Sequence, residues 1–241
     1  MIVLFTDFGA ADPYVGQMHA VLARAAPRAR VIDLLHTVPN FDIRSGAYLL
    51  PALAAEFPAG SVFVGVVDPG VGDERLPIML QADDRWYVGP DNGLFKIVAR
   101  RASRCETWVI TWRPQNLSAS FHGRDLFAPV AARLARGDWP ASVPTTLITP
   151  NGDWPDDLPA IVYIDHYGNA ITGLRASQIE AAGTLAVAGR QLQHAAVFSA
   201  VAPNMPFWYA NSVGLVEIAV NRGDASRALE LKIGDPVQVV A

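Results

Sequence analysis

The chain has 241 residues, 51% of them hydrophobic and only 17% charged, with a formal net charge of −4. That length can bury one large core or two modest ones, and the composition excludes a disordered chain. The acidic balance argues against nucleic acid or an anionic membrane surface as the main partner. A single cysteine, Cys105, excludes an internal disulfide or a cysteine-built zinc cluster, and makes the cytoplasm the expected compartment.

Met1 leads straight into Ile2-Val3-Leu4-Phe5 with no basic flank and no long apolar run, so neither a signal peptide nor a membrane span is expected. Ile2 to Thr6 reads as a short strand ending at Asp7-Phe8-Gly9, followed by Tyr14, Val15, Met18, Val21 and Leu22 at helical spacing. Val31 to Leu34 is a second strand, and Ile43 to Glu56 a helix closed by Pro58-Ala59-Gly60. Ser61 to Val67 is the clearest buried strand, continuously apolar up to Asp68-Pro69-Gly70. Ile78 to Gln81 with Arg85 to Val88 suggests a hairpin, and Leu126 to Arg136 has helical periodicity. Prolines and aspartates crowd residues 137–159, which reads as a linker. Beyond it come short strands at Ala160–Asp165, Thr184–Ala188, Leu215–Val220 and Pro236–Val240. The expected organisation is an α/β domain with a mostly parallel sheet over residues 1–150 and a smaller β-rich domain over 151–241.

Asp7 and Asp68 each fall just after a strand, where ligands of open α/β sheets bind. A carboxylate there can accept two hydrogen bonds from a vicinal diol such as that of a ribose, or it can simply cap a turn; spacing leaves both open. Arg75 follows Asp68 across the Pro69-Gly70-Val71-Gly72 turn, and His122 precedes an apolar helix. Together with Asp68 they could hold and deprotonate a water, or they could be a surface ion pair and a helix-entry hydrogen bonder. His19, His36 and His194 read as structural or solvated. A metal site from Asp7, Asp12, Asp68, His122 and Asp165 lacks any recognised ligand spacing. Phosphate-binding glycine loops and a Gly-x-Ser-x-Gly elbow do not occur.

Thr6-Asp7-Phe8-Gly9 with Asp12 and Tyr14-Val15-Gly16, then Asp68-Pro69-Gly70-Val71-Gly72 with Arg75, then Phe121-His122-Gly123-Arg124-Asp125, resemble the S-adenosylmethionine (SAM) hydrolases. These are also called SAM hydroxide adenosyltransferases, relatives of the fluorinating and chlorinating enzymes that use the same substrate. The resemblance runs on through Ile164-Asp165-His166-Tyr167-Gly168-Asn169, Asn211-Ser212-Val213-Gly214 and Glu217. It implies an N-terminal α/β domain, a β-barrel-like C-terminal domain, and a homotrimer with each site between neighbouring subunits. Asp68, Arg75 and His122 would then be the water-activating triad and Asp7 the ribose ligand. Asn169 and the backbone at Val220 would read adenine, Ser212 and Glu217 would line the pocket, and Phe198 would stack on the base. Phe41 would stand near the sugar, and Asp165 near the methionine end.

The implied reaction is attack of activated water at C5′ of SAM, giving adenosine and methionine, with no metal or redox cofactor. A halogenase is the nearest alternative, but a carboxylate at Asp68 would repel a halide and His122-Gly123 departs from the halogenases' tyrosine-serine pair. A non-catalytic SAM or adenosine sensor and a metal-dependent hydrolase are the other classes. His19-Ala20 replaces a common Lys-Gly pair, and Asp73-Glu74 place two further carboxylates just before Arg75. The apolar surplus exceeds what a monomer needs, so part of it is expected between subunits.

Overall fold

A computed structural model describes residues 1–72, 74–147, 154–180 and 183–240. The chain divides into two compact units, Met1–Leu50 with Glu56–Gly152 and Pro51–Ala55 with Asp153–Ala241. The boundary expected at 150/151 lies outside the described residues, as do Pro150 and Gly152 of the expected linker.

The first unit runs β1 (Ile2–Thr6), α1 (Pro13–Ala25), β2 (Val31–Leu35), α2 (Ile43–Ala54, whose residues from Pro51 onward count with the second unit), β3 (Val62–Val66), β4 (Pro77–Ala82), β5 (Arg85–Pro90), α3 (Lys96–Arg101) and β6 (Cys105–Ile110). A π-helical turn, Gly123–Phe127, then leads into α4 (Ala128–Ala135) and β7 (Ser142–Thr145). The seven strands form one sheet in the order β2-β1-β3-β5-β4-β6-β7. Strands β2, β1, β3 and β5 are parallel, β4 is reversed, and β6 regains the common direction, so five of seven strands point one way.

Strands β1 and β3 are buried at every residue, as a central strand covered on both faces must be. Alternation divides their side chains. Ile2, Leu4, Val62, Val64 and Val66 pack with Met18 and Leu22 of α1 and with the small residues Ala128, Ala131 and Ala132 of α4. On the other face Phe63 stacks on Tyr87, with ring centroids 5.0 Å apart, and Tyr87 meets Phe95. Two glycines let β3 and β5 close beneath that aromatic layer: a Cβ on Gly89 would stand 2.1 Å from the Gly65 carbonyl oxygen.

The stretch read as linker in fact carries β7, which pairs with β6, and the first residues of β8. Pro144 is compatible with this because β7 is the sheet's edge, where a missing N–H interrupts no central ladder.

The second unit contains β8 (Leu158–Ile164), β9 (Ala170–Arg175), β10 (Thr184–Val187), β11 (Arg190–Leu192), β12 (Pro206–Ala210), β13 (Leu215–Val220), the short α5 (Ala225–Ala228) and β14 (Gln238–Val240). They build a four-stranded antiparallel sheet, β12-β13-β9-β8, and a three-stranded one, β11-β10-β14. The implied barrel-like domain is thus a pair of antiparallel sheets joined at their margins by isolated bridges, Ala160 to Pro236 and His194 to Trp208. Their shared core includes Ile161, Leu174, Leu185, Ile218 and Val237 around the fully buried Trp208. The Trp208 indole N–H donates to the Gly183 carbonyl at 3.1 Å, which satisfies its one polar atom. No helix among the described residues is long and apolar enough to cross a membrane.

Candidate active site

Parallel neighbours β1 and β3 end side by side, so the residues just beyond them, Asp7 and Asp68, emerge at the same edge of the sheet. The Asp68 carboxylate is held by Arg75: Nε donates at 3.0 and 2.9 Å to the two oxygens, and Nη2 donates to Oδ2 as well. Side-chain exposure is 4% for Asp68 and 10% for Arg75, so this fork-on-carboxylate pair is nearly dry. The turn between them requires glycine at position 72: its φ is +87°, and a Cβ would sit 2.8 Å from the Ala119 carbonyl oxygen. Asn92 secures the approach from β3 by donating to the Val67 carbonyl at 2.8 Å.

His122 completes the cluster. It heads the π turn, and its Nδ1 lies 2.9 Å from Arg75 Nη2. A guanidinium has donors only, so Nδ1 accepts and the neutral ring carries its proton on Nε2. Burial and then the Arg75 charge hold the His122 pKa below its ordinary 6.5, against the pull of Asp68. At neutral pH the imidazole is therefore neutral and presents an N–H. Beneath the guanidinium lies the Phe127 ring, its centroid 5.6 Å from the Arg75 Cζ.

Asp7 is half-buried. Burial raises its pKa, two backbone hydrogen bonds lower it, and the Asp68 charge adds a small upward push. Its Oδ2 accepts the Phe41 N–H at 3.0 Å. Phe41 adopts φ +64°, a left-handed conformation that costs a non-glycine residue about 1 kcal/mol, and the residue is 71% exposed. Phe8, Tyr14 and Phe121 form an aromatic trio, Phe121 edge-on to the other two and Phe8 tilted against Tyr14, with centroids 5.5–6.0 Å apart. Asp73 lies outside the described residues.

In the second unit, the six residues singled out from the sequence all line one groove of about 810 Å³: Asp165, Asn169, Phe198, Ser212, Glu217 and Val220. The Asp165 carboxylate is committed to its own turn. Oδ1 accepts the N–H groups of Tyr167 and Asn169 at 2.9 and 2.8 Å, and Oδ2 faces the Asn169 amide nitrogen at 3.2 Å. With the amide nitrogen donating to Asp165, the other side-chain atom of Asn169 is its oxygen, an acceptor. Glu217, 5% exposed, is directly opposite Tyr209 in the β12–β13 ladder and accepts its hydroxyl, while Asn211 Nδ2 donates to Oε2 at 2.9 Å. Burial and then this hydrogen bond push the Tyr209 phenol well above its ordinary range, so it remains a donor. Phe198 stands edge-on to Phe207 and Tyr209, at 5.1 and 5.4 Å.

Comparison with known proteins decides the family. Residues 2–143 match the SAM hydroxide adenosyltransferase N-terminal domain, and residues 159–238 match its C-terminal domain. The chain belongs to the SAM hydroxide adenosyltransferase family. It is 40% identical to an (R)-S-adenosyl-L-methionine hydrolase of Thermus thermophilus, over 99% of both chains. A Salinispora arenicola protein of the same name is also 40% identical, over 98% of this chain and 96% of the relative. A fluorinase of Nocardia brasiliensis is more distant, 24% identical over 57% of this chain and 54% of its own length. Among solved structures, a conserved protein of Thermotoga maritima superposes with a TM-score of 0.89 at 31% identity, covering all of both chains.

The residues expected from the first half, Asp7, Phe41, Asp68, Arg75 and His122, gather at one edge of one sheet, and those from the second half line one groove. Sequence reasoning missed the groups that hold them. Tyr209 and Asn211 fix Glu217, Phe127 underlies Arg75, and Asp165 orients Asn169 rather than projecting freely. The Tyr209–Glu217 pair had a signal: both belong to β-favouring runs separated by an Asn-Ser-Val-Gly turn, which pairs residues across a hairpin. Among the described residues, no group of three His, Cys, Asp or Glu is placed to hold a metal ion.

The His122 environment has a consequence for pH. Protonated His122 would set a donor against a donor on the Arg75 bond, so only the neutral ring fits. kcat/KM is expected to be flat near neutrality and to fall on the acid side with a midpoint below 6.5, and His122→Gln should remove that limb. The unfolded chain takes up this proton first, so stability also declines as pH falls from 6.5 towards the folded-state value. A pH–rate profile of both proteins, beside thermal melts, checks the sign.

Proposed function

We propose that the protein is an S-adenosyl-L-methionine hydrolase that forms adenosine and L-methionine. The observation that carries this reading is the Asp68–Arg75–His122 cluster, a dry carboxylate, guanidinium and neutral imidazole joined within hydrogen-bonding distance at the end of a buried strand. The substrate's sulfonium is a good leaving group on C5′. One water loses a proton towards Asp68 while its oxygen, held by the guanidinium and the His122 N–H, bonds to C5′. The C5′–S bond breaks with its electron pair going to sulfur, and methionine departs. Attack joins opposite charges, so a site that excludes bulk water does not oppose it. The protein's task is to hold oxygen and C5′ at about 3–3.5 Å and in line.

Asp7 takes the ribose diol, with Phe41 beside the sugar. Asn169, its amide nitrogen held by Asp165, accepts from the adenine amine through its oxygen, and the backbone at Val220 meets the same edge. Phe198 stacks on the base, and Ser212 and Glu217 close the groove. Asp165 acts through Asn169. The assembly is a cytoplasmic homotrimer in which each site takes its first group from one subunit and its second from a neighbour. The exposed aromatic residues Phe41 and Tyr167, 71% and 74% accessible in the single chain, support such burial.

Purified protein incubated with SAM tests the reading, with chromatography of the nucleoside products, with and without chelator and with added halide. Adenosine that persists in chelator and needs no halide is the expected result. Accumulation of a 5′-halo-adenosine would replace the hydrolase with a halogenase, and binding without turnover would make the protein a sensor. Light scattering of the same preparation should give three chains per particle.

A further inference from the structure

Behind Asp7 lies a polar chain, buried at Thr6 and His36 and open to solvent at Asp33 and His19, that the reaction itself does not use. Thr6, fully buried at the end of β1, has its hydroxyl 2.8 Å from Nδ1 of His36, whose exposure is 7%. The same hydroxyl accepts the Phe8 N–H at 3.2 Å. On its other side the His36 ring presents Nε2 3.1 Å from Asp33 Oδ1, and that oxygen also meets His19 Nε2 of α1 at 2.8 Å. The Nε2 contact has ion-pair distance without hydrogen-bond geometry, and a proton on the nitrogen that faces the carboxylate leaves Nδ1 an acceptor. The Thr6 hydroxyl then donates to it and keeps its lone pairs for Phe8, so every bond has one donor and one acceptor.

The main chain runs alongside. Gly9 N–H donates to the His36 carbonyl at 2.7 Å, and Val38 N–H donates to the Thr6 carbonyl at 3.3 Å. Together with the Phe41 N–H on Asp7, these contacts lace the segment after β1 to the segment after β2 on both sides of Asp7. A carboxylate that must meet two hydroxyls at once has little tolerance for rotation of its backbone.

We propose that Thr6 and His36 are positioning residues that set the Asp7 carboxylate for the ribose diol. The inference rests on the reading of Asp7 as the ribose ligand. It predicts a defect in sugar recognition rather than in the chemical step: KM for SAM rises while kcat stays within about twofold.

Calorimetric titration with adenosine and with 2′-deoxyadenosine tests this on the wild type, Thr6→Val, Thr6→Ser, Asp7→Ala and the Thr6→Val/Asp7→Ala double variant. Thr6→Val should weaken adenosine about tenfold, the loss of one hydrogen bond to a charged group, and leave 2′-deoxyadenosine within about twofold. Thr6→Ser, which restores the hydroxyl, should recover most of the affinity. In the Asp7→Ala background Thr6→Val should add nothing. If Thr6→Val does not fold, His36→Ala carries the same expectations, with His36→Asn as its rescue because the asparagine oxygen can stand where Nδ1 stands. Equal weakening of both nucleosides, or full additivity with Asp7→Ala, overturns the positioning role alone. Undiminished preference for adenosine in Asp7→Ala overturns the ribose reading and this inference with it.

Discussion

His122→Ala and Asp68→Asn are each expected to lower kcat for SAM by about 100-fold or more, the range for loss of a positioned proton-handling group. The two variants differ in what else they disturb. Removing the neutral imidazole leaves the Asp68–Arg75 pair intact, so the melting temperature of His122→Ala should remain close to that of the wild type. Asp68→Asn strips the charge from a nearly dry ion pair and strands the Arg75 guanidinium, a change that costs about 3–5 kcal/mol of stability. Kinetics at 25 °C beside thermal melts separate the effects. Because the three groups act as one unit, the double variant should be hardly slower than either single one. Wild-type rates in both single variants would sink the triad.

Gly89→Ala is expected to be the most damaging single-methyl change in the first unit. The added carbon would stand 2.1 Å from the Gly65 carbonyl oxygen and 2.8 Å from the Phe95 ring. The first of these is backbone in the neighbouring strand, so no rotamer relieves it. Either β3 and β5 separate, losing parallel ladder bonds, or the Phe63–Tyr87–Phe95 layer shifts. Overpacking of this kind costs about 3 kcal/mol, and more where backbone must move. Urea unfolding should show a lower midpoint. An unchanged midpoint would mean that the two strands can part at no cost. Asp68 follows β3, so residual folded protein should also turn over SAM more slowly.

Much of this architecture is legible in the sequence because burial on both faces leaves a simple mark. The runs at Ile2–Thr6 and Ser61–Val67 read as strands, the second as a buried one, and their ends located Asp7 and Asp68. Shorter or half-exposed elements left weaker marks. Helix α3 has six residues, too few to display a period, and β6 mixes charged and polar positions with its buried Thr107 and Ile110. Strand β9 contains Gly173, present because a Cβ there would meet Leu158 at 2.6 Å, and glycine reads as a break. Proximity between distant segments is the other limit. Arg75 and His122 are 47 residues apart, and no spacing rule joins them; only the order of several motifs did. The histidine at position 36 read as structural or solvated without a choice between them, because a lone His in a loop carries no sign of Thr6 waiting beneath it.

The π-helical turn at Gly123–Phe127 bears on how such a site could be moved to another scaffold. His122 and Phe127 both meet Arg75, one through Nδ1 at 2.9 Å and the other through its ring at 5.6 Å, although they are five positions apart. On a regular α-helix five positions differ by about 140° of rotation, and the two side chains would face different neighbours. Here the Ala128 N–H reaches back to the Gly123 carbonyl, the wider turn absorbs one extra residue, and both side chains arrive on the same guanidinium. A designer grafting Asp, Arg and His onto an ideal helix and sheet would therefore reproduce the chemistry's letters and lose its phase. What must be transplanted is the helix's extra residue.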